Sequence, residues 1–219
     1  GEGVWIEETY RLIAFGCFYF TILGLYELLI TLKFSKPKEE FNLIISTPPF
    51  ESTIGFSYNG NRTLEQYLIE RGINSLGQNS KLITLLPHRF FYRDEQDKRL
   101  RKQLIDRDLV DTIISLPNGI LPNTNIPLDI LVLSRTKKYP NKVRFINATT
   151  FVSPKGFIES VLNDFELYNL IQSDSIDENT VRIVSDEQIF QNNCNLNVAR
   201  YFLKPIEGVK LMDILMPTT

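Results

Sequence analysis

The chain has 219 residues, of which 43% are hydrophobic and 23% charged, as expected for one globular domain with or without an appendage. The formal net charge is -2, so no global positive field draws the protein to nucleic acid, and any such contact must be local. The chain contains two cysteines, Cys17 and Cys194, and one histidine, His88. These numbers exclude a disulfide framework, and we expect no metal partner. The low cysteine content fits a reducing, cytoplasmic setting.

The N-terminal segment predicts a helix followed by a strand. Residues 6 to 20 have a helical pattern, with Glu7 and Glu8 in the first turn, where the helix dipole favours acids. Residues 26 to 32 predict a strand. No basic segment precedes a small-residue cleavage site, so we expect no signal peptide.

A membrane span is an alternative interpretation of residues 12 to 32, in which Glu27 is the only charge. Gly16 and Gly24 interrupt this apolar run, and an unpaired Glu27 in lipid would cost about 3 kcal/mol. We therefore favour a buried helix, a turn and a buried strand, and expect no membrane partner.

From residue 41 onwards, strands and helices alternate, which is typical of an α/β fold. The apolar strand FNLIIS predicts burial on both faces. Residues 51 to 63 are rich in Gly, Ser, Asn and Thr and predict a loop. The predicted helices are 64 to 76 and 94 to 107, the second with Leu100 and Leu104 on one face. The further predicted strands are 81 to 87, 110 to 117, 129 to 135 and 142 to 149.

The character of the chain changes after residue 150. Residues 151 to 200 have the pattern of helices and polar loops, and acids are concentrated from 159 to 187. We therefore predict three segments, which comprise residues 1-150, 151-205 and 206-219.

The end of the FNLIIS strand is an unusual junction, because it runs into Ser46-Thr47-Pro48-Pro49-Phe50. Proline has no N–H and a fixed φ, so the corner is rigid and poor in donors, and it carries an aromatic ring. Ligands of open α/β sheets bind at the carboxyl ends of strands, where this corner lies. A plain loop with Phe50 packed in the core is the alternative.

Four stretches together match one family in order and spacing. STPPF resembles the target-base motif of amino-group DNA methyltransferases, which has Asn, Asp or Ser, then Pro-Pro, then an aromatic residue. The other three stretches are SLGQNSKLITLLPHRFFYR, SLPNGILPNTNIPLDILVLSR and EQIFQNNCNLNVARYF. Over roughly residues 6 to 204, the chain thus resembles the adenine-specific N6 DNA methyltransferases of the type I restriction-modification M-subunit kind.

The resemblance implies an α/β fold, namely a partial Rossmann-like S-adenosylmethionine-dependent methyltransferase sheet with flanking helices and a mostly helical C-terminal segment. Residues 1-150 would be the target-base half of the catalytic domain, and residues 151-205 its helical remainder. Residues 206-219 would be a tail or the start of a following domain, because EGVKLMDILMPTT resembles the start of a specificity-subunit recognition domain. The implied partners are DNA and a specificity subunit or domain.

The implied chemistry is methyl transfer from S-adenosylmethionine to the N6 amine of adenine, which requires the base to be flipped out of the duplex. Thr47, Pro48, Pro49 and Phe50 would form the catalytic corner, with carbonyl acceptors for the amine and the Phe50 ring as a stacking face.

DNA-binding candidates follow the strand 81 to 87. Arg89 and Arg93 flank three consecutive aromatic residues, the first of which is Phe90. The resemblance implies a second base-contacting ring near this position. Packing in the hydrophobic core is the alternative for each of the three rings. The basic residues from 89 to 107 could meet phosphates, although a solvated helix with i,i+4 ion pairs is favoured. We do not expect His88 to act as a general base, because this methylation depends more on orientation than on a strong base.

The sequence departs from the family at two points. Thr47 stands where Asn or Asp is usual, and losing one well-placed polar partner costs about 1 to 3 kcal/mol. No G-x-G or D-x-x-x-G-x-G precedes residue 40, so cofactor-binding residues are not assigned and the chain alone is expected to bind S-adenosylmethionine poorly and to be inactive. A catalytically inactive fragment that serves as a DNA-binding or subunit-interaction module is therefore the alternative function.

Overall fold

The computed structural model of the chain describes residues 41–48, 63–93, 96–121, 126–155, 159–173 and 176–203. The chain divides into two compact units, Gly1–Glu40 and Phe41–Thr219, and every described residue belongs to the second. The predicted helix at 6 to 20, the predicted strand at 26 to 32 and the loop at 51 to 62 lie outside the described residues. None of the described helices has the length and apolar character that crossing a bilayer requires.

The described strands in chain order are β1 (Phe41–Ser46), β2 (Leu76–Pro87), β3 (Val110–Ser115), β4 (Leu128–Ser134), β5 (Lys142–Asn147), β6 (Val152–Lys155), β7 (Glu159–Leu162) and β8 (Val181–Ser185). Six of them form one mixed sheet in the order β1-β2-β4-β3-β5-β8, and β6 and β7 form a separate hairpin. The pairs β1–β2 and β3–β5 are parallel, whereas β4 is antiparallel to both of its neighbours and β8 is antiparallel to β5.

Five described helices and one 3₁₀ turn accompany the strands. The turn His88–Phe91 directly follows β2. The helix that precedes β2 begins with a capping box, in which Thr63 and Gln66 each accept a hydrogen bond from the other's backbone N–H. The helices are α1 (Leu64–Asn74), α2 (Gln96–Asp106), α3 (Asp164–Gln172), α4 (Asp186–Gln191) and α5 (Val198–Phe202).

The two faces of the sheet carry two hydrophobic clusters, because alternate residues of a strand point to opposite sides. On one face, Ile113 and Leu131 belong to the larger cluster, to which α1, α2, α4 and α5 contribute. On the other face, Ile114 and Leu128 belong to a smaller cluster with Leu167 of α3. The described residues thus form helical layers on both sides of a central sheet.

The helices 64 to 76 and 94 to 107 and the strands 110 to 117, 129 to 135 and 142 to 149 are confirmed to within a few residues. Leu100 and Leu104 are buried as predicted. β2 begins at Leu76, five residues before the predicted start. The segment after residue 150 has the expected helices, but it also contains β6, β7 and β8, which the sequence pattern did not predict.

The predicted burial of FNLIIS on both faces is wrong. Within the described residues β1 is an edge strand with β2 on one side, and Phe41, Leu43 and Ile45 are 47%, 50% and 44% exposed. Ile44 points to the opposite side and packs against the larger cluster. The apolar run therefore predicts the strand correctly, whereas the burial of its side chains depends on which other segments cover the strand.

Arg101 is fully buried inside the larger cluster, although the sequence placed it among residues that face solvent or phosphates. Its Nε donates to the carbonyl oxygen of Cys194 at 2.9 Å, and a terminal guanidinium nitrogen donates to that of Phe90 at 2.5 Å. Arg101 therefore ties α2 to the 3₁₀ turn and to the loop between α4 and α5.

Replacing Arg101 with Met is expected to lower the free energy of unfolding by about 2 to 5 kcal/mol, because two buried carbonyls lose their donor. The matched control is Arg99→Met, an exposed position of the same helix, with an expected change within about 0.5 kcal/mol. Chemical denaturation followed by circular dichroism measures both. Equal losses in the two variants would contradict the role assigned to Arg101.

Candidate functional site

Four chain segments meet at the end of the sheet where the parallel strands β1, β2 and β3 have their carboxyl ends. Thr47 and Pro48 follow β1, His88 follows the parallel strand β2, Ser115 ends β3, and Asp129 lies at the start of antiparallel β4. Because β4 runs antiparallel to β2 and β3, its beginning meets their carboxyl ends. This end of the sheet is the place at which open α/β sheets bind ligands.

The corner after β1 is described as far as Pro48. Pro48 is buried and Thr47 is half-buried, while Pro49 and Phe50 lie outside the described residues. Ser46 pairs with Thr84, so Thr47 and Pro48 continue the parallel register beside the end of β2. The predicted role of all four corner residues in holding a base therefore remains a prediction.

Next to this corner, three polar side chains form a chain of hydrogen bonds. His88 Nδ1 lies 2.6 Å from Oδ2 of Asp129, and the Ser115 hydroxyl donates to Oδ1 of Asp129 at 2.7 Å. The Asp129 side chain is 1% exposed and that of His88 is 23% exposed. Both carboxylate oxygens thus have a donor, which is what allows a carboxylate to be buried in this sheet.

The pKa of His88 is raised above 6.5, first by the hydrogen bond to Asp129 and also by the charge of that carboxylate, while burial opposes the shift. The Asp129 carboxylate therefore favours the imidazolium form, in which Nδ1–H donates to Oδ2. The centroids of the Tyr92 and His88 rings are 5.6 Å apart, and the angle between the two ring planes is 56°. The carboxyl end of β2 is thus followed by a partly exposed imidazole ring, whose charged form is favoured, beside an aromatic ring.

The turn after β2 separates the DNA-binding candidates by burial. Phe90 is 4% exposed and belongs to the larger cluster, which favours its core-packing alternative, and Phe91 is fully buried. Arg89 is half-buried, whereas Tyr92 and Arg93 are exposed. The turn therefore anchors two rings inside and presents the third ring and one guanidinium outside.

Arg93 also pairs with α2. Its Nε lies 2.9 Å from Oδ2 of Asp97, an i,i+4 ion pair of the kind that the sequence predicted. The other Asp97 oxygen accepts a hydrogen bond from the Gln66 side chain at 2.5 Å. The Arg93 side chain is still 46% exposed, so it stays accessible at the surface.

The described residues do not fit the cofactor that the resemblance implies. They contain no glycine-rich loop at the end of a strand, and an added Cβ at Gly72 would lie 2.0 Å from Leu82 Cδ1, so this glycine serves helix–sheet packing. Two surface cavities of about 310 and 290 Å³ are lined by residues of β8 and its neighbours, at the sheet edge opposite β1. Within the described ranges, no group of three or more His, Cys, Asp or Glu side chains could hold a metal ion.

Comparison with solved structures identifies the class of this sheet. The structure resembles the type I restriction-modification system methyltransferase subunit from Streptococcus thermophilus, with a TM-score of 0.67 and 26% identity. The match covers 78% of this chain and 40% of that subunit. The fold is therefore a partial Rossmann-like sheet of the methyltransferase class, with flanking helices.

Sequence comparisons identify the family. The chain is 25% identical over 196 residues to the type I restriction enzyme MpnII methylase subunit of Mycoplasma pneumoniae, covering 78% of this chain and 35% of that subunit. It is 28% identical over 136 residues to the MjaVII methylase subunit of Methanocaldococcus jannaschii, covering 56% of this chain and 22% of that subunit. The chain thus spans about a third or less of the length of these relatives. The N-6 DNA Methylase family model matches residues 27–207, and the chain belongs to this family.

Sequence reasoning missed Asp129 and Ser115 as components of the site. Asp129 is an acid inside the apolar strand segment LDILVLS, and a lone acid in a buried strand is a signal that a partner must be present. The sequence could not identify that partner, because His88 is 41 residues away along the chain.

The raised pKa of His88 predicts a pH dependence of stability. Because the folded state binds this proton more tightly, its contribution is complete below the unfolded pKa of about 6.5 and is lost as pH rises through the folded pKa. The free energy of unfolding is therefore expected to decrease as the pH rises from about 6.5 through the higher folded pKa of His88. Denaturant unfolding across this range measures it.

His88→Gln is the matched variant, because its amide N–H can still donate to Asp129 while the titrating group is removed. The pH dependence assigned to His88 should disappear in this variant. Identical pH profiles in the variant and the original protein would show that the His88–Asp129 pair does not contribute in the way described.

Proposed function

We propose that this chain is the target-base portion of a DNA adenine N6-methyltransferase of a type I-like restriction-modification system, which transfers methyl from S-adenosylmethionine to adenine in DNA. The observation that carries the proposal is the Thr47–Pro48 corner at the carboxyl end of β1, in a chain of the N-6 DNA methylase family. The natural partners would be DNA and a specificity subunit or domain, in the cytoplasm.

The corner would hold an adenine that has been extruded from the duplex. Pro48 and Pro49 offer no N–H, so carbonyl oxygens of the corner would accept from the N6 amino hydrogens without a competing backbone donor. Phe50 would supply the stacking face, and the hydroxyl of Thr47 would be a shorter acceptor than the usual amide or carboxylate. Arg89 and Arg93, on the turn after the neighbouring strand, would contact the DNA backbone.

The chain alone is proposed to lack methyl-transfer activity. No cofactor cradle is found in the described residues, and the sequence before residue 40 lacks the glycine-rich loop of the family. The same observations, with Thr47, support a second candidate function, a catalytically inactive module that binds DNA or another subunit.

Calorimetric titration with S-adenosylmethionine tests whether this chain can be the inactive module. We expect no binding in the micromolar range, and micromolar binding would exclude the inactive module. The companion assay incubates DNA and labelled cofactor with the protein extended upstream by any in-frame sequence found to precede Gly1 in its gene. If the extended protein also transfers no methyl group, the enzymatic function is wrong.

Base holding at the corner can be tested with a short duplex that carries an unpaired, bulged adenine, because an unpaired base costs least to extrude. Stacking on an aromatic side chain contributes about 1 to 3 kcal/mol per base, so Phe50→Ala is expected to weaken binding about 5- to 150-fold. Fluorescence anisotropy of the labelled duplex measures the change.

The matched control is Phe165→Ala, which removes a 73% exposed ring from α3. This variant should bind the bulged duplex like the original protein. If Phe50→Ala also binds unchanged, the corner does not hold the base.

A further inference from the structure

The proposed base-holding corner does not include the His88–Asp129 pair, which lies at the same carboxyl end of the sheet. We propose that His88 binds a phosphate group of the DNA backbone beside the Thr47–Pro48 corner, and that the buried Asp129 positions its ring. The proposal rests on the proposed function, since it identifies how the target-base portion holds the strand that carries the base.

The strand register brings the pair close to the corner. Ser46 pairs with Thr84 on β2, so Pro48 lies level with Leu86, and Leu86 pairs with Asp129 on β4. Two strand spacings therefore separate Pro48 from Asp129, which corresponds to about 10 Å between their Cα atoms. This distance is short enough for a nucleotide whose base enters the corner to place a backbone phosphate near the pair.

The imidazole ring is held on one side and accessible on the other. Nδ1 is engaged by Asp129 at 2.6 Å, and the backbone N–H of His88 donates to the carbonyl of Pro127 at 2.8 Å. In the described portion of the chain, no hydrogen bond involves Nε2 of His88. Because the side chain is 23% exposed, Nε2–H is the donor that remains for a ligand.

The charges favour an anion as that ligand. The Asp129 carboxylate is covered from solvent, whereas the imidazole ring is partly exposed, so an anion that approaches the protonated ring meets the positive charge first. Among the described residues, the charged group that faces the ring is Asp129 on β4, while β3 contributes the Ser115 hydroxyl, which does not titrate, and the residue after the turn contributes the Tyr92 ring. Arg93, exposed on the same turn, adds a second cation to a chain with net charge -2.

A titration of the imidazole signal by NMR tests this contact directly, because His88 is the only histidine of the chain. The bulged-adenine duplex is the probe, and the pKa of His88 is measured with and without it. A phosphate contact stabilises the imidazolium, so the pKa should rise on binding. By linkage, a rise of one unit requires a tenfold loss of affinity between low and high pH, and we expect a loss of about three- to tenfold.

The salt dependence of binding gives an independent measurement. At about pH 6, His88→Gln should reduce the slope of log affinity against log salt by about 0.9, the value for one phosphate contact. At a pH well above the measured pKa of His88, where the imidazole is neutral, the variant and the original protein should bind alike. Lys142→Gln is the control, since it removes an exposed positive charge from β5, towards the opposite edge of the sheet.

The variant Asp129→Asn tests whether Asp129 positions the His88 ring for binding or contributes only to the stability of the fold. It should lower the pKa of His88, and the pH at which DNA affinity falls should decrease with it. A shift of stability alone, without a shift of the binding profile, would contradict positioning by Asp129.

The outcomes distinguish this inference from the function on which it rests. If the protein binds the duplex but the pKa of His88 and the salt slope do not change, the phosphate contact is wrong and the proposed DNA function stands. If the original protein binds no DNA at low salt and about pH 6, both are overturned. The pKa measurement needs no variant, so it decides the question even if His88→Gln does not fold.

Discussion

The antiparallel insertion of β4 between β2 and β3 is the constraint on which the candidate site depends. Seven consecutive pairs join β2 to β4, from Lys81 with Ser134 to Pro87 with Leu128. This register places Asp129 opposite both Leu86 and Ser115. A slip of one residue would turn Asp129 to the face of Leu128 and the α3 cluster, where a carboxylate would be buried among apolar side chains without its donors. The polar network and the apolar faces therefore specify the same register.

The buried guanidinium of Arg101 fixes the conformation of the turn after β2. Arg101 binds the carbonyl oxygen of Phe90, and the amide of Leu196 donates to that of Phe91 at 2.8 Å. With the Phe90 and Phe91 rings packed inside, the outward positions of this short turn are fixed. Tyr92 and Arg93 thus stand on a rigid scaffold, which is how loops that bind ligands are usually positioned.

The sequence predicted those features that local pattern controls. The amphipathic helix with Leu100 and Leu104 and the apolar strands β3, β4 and β5 form because their periodicity already defines an inner face. Short polar strands such as β6 and β7 have too few residues to show a period, so the pattern did not predict them.

The burial of individual side chains and their hydrogen-bond partners could not be predicted, because both depend on segments that are distant in the sequence. FNLIIS has the pattern of a strand covered on both sides, but its cover depends on layers contributed by other segments. Arg101 looked like one of several basic residues on an exposed helix, and only the packing of α2 against the turn shows that it faces inward. At the candidate site, the corner could be located from Thr47-Pro48-Pro49-Phe50, whereas the His88–Asp129 pair required the register of β2 and β4.

Thr47 changes the balance of interactions in the proposed function. With a shorter acceptor in place of the usual amide or carboxylate, less of the energy that orients the adenine comes from its amino group, and more must come from stacking and from the backbone. Backbone contacts position a nucleic acid without reading its sequence, while contacts with the base specify it. A corner with Thr47 beside the side chains of His88 and Arg93 should therefore hold an extruded nucleotide in place more effectively than it discriminates adenine from other bases. Discrimination would then depend on the shape of the Pro48-Pro49-Phe50 corner and on the recognition supplied by a specificity subunit.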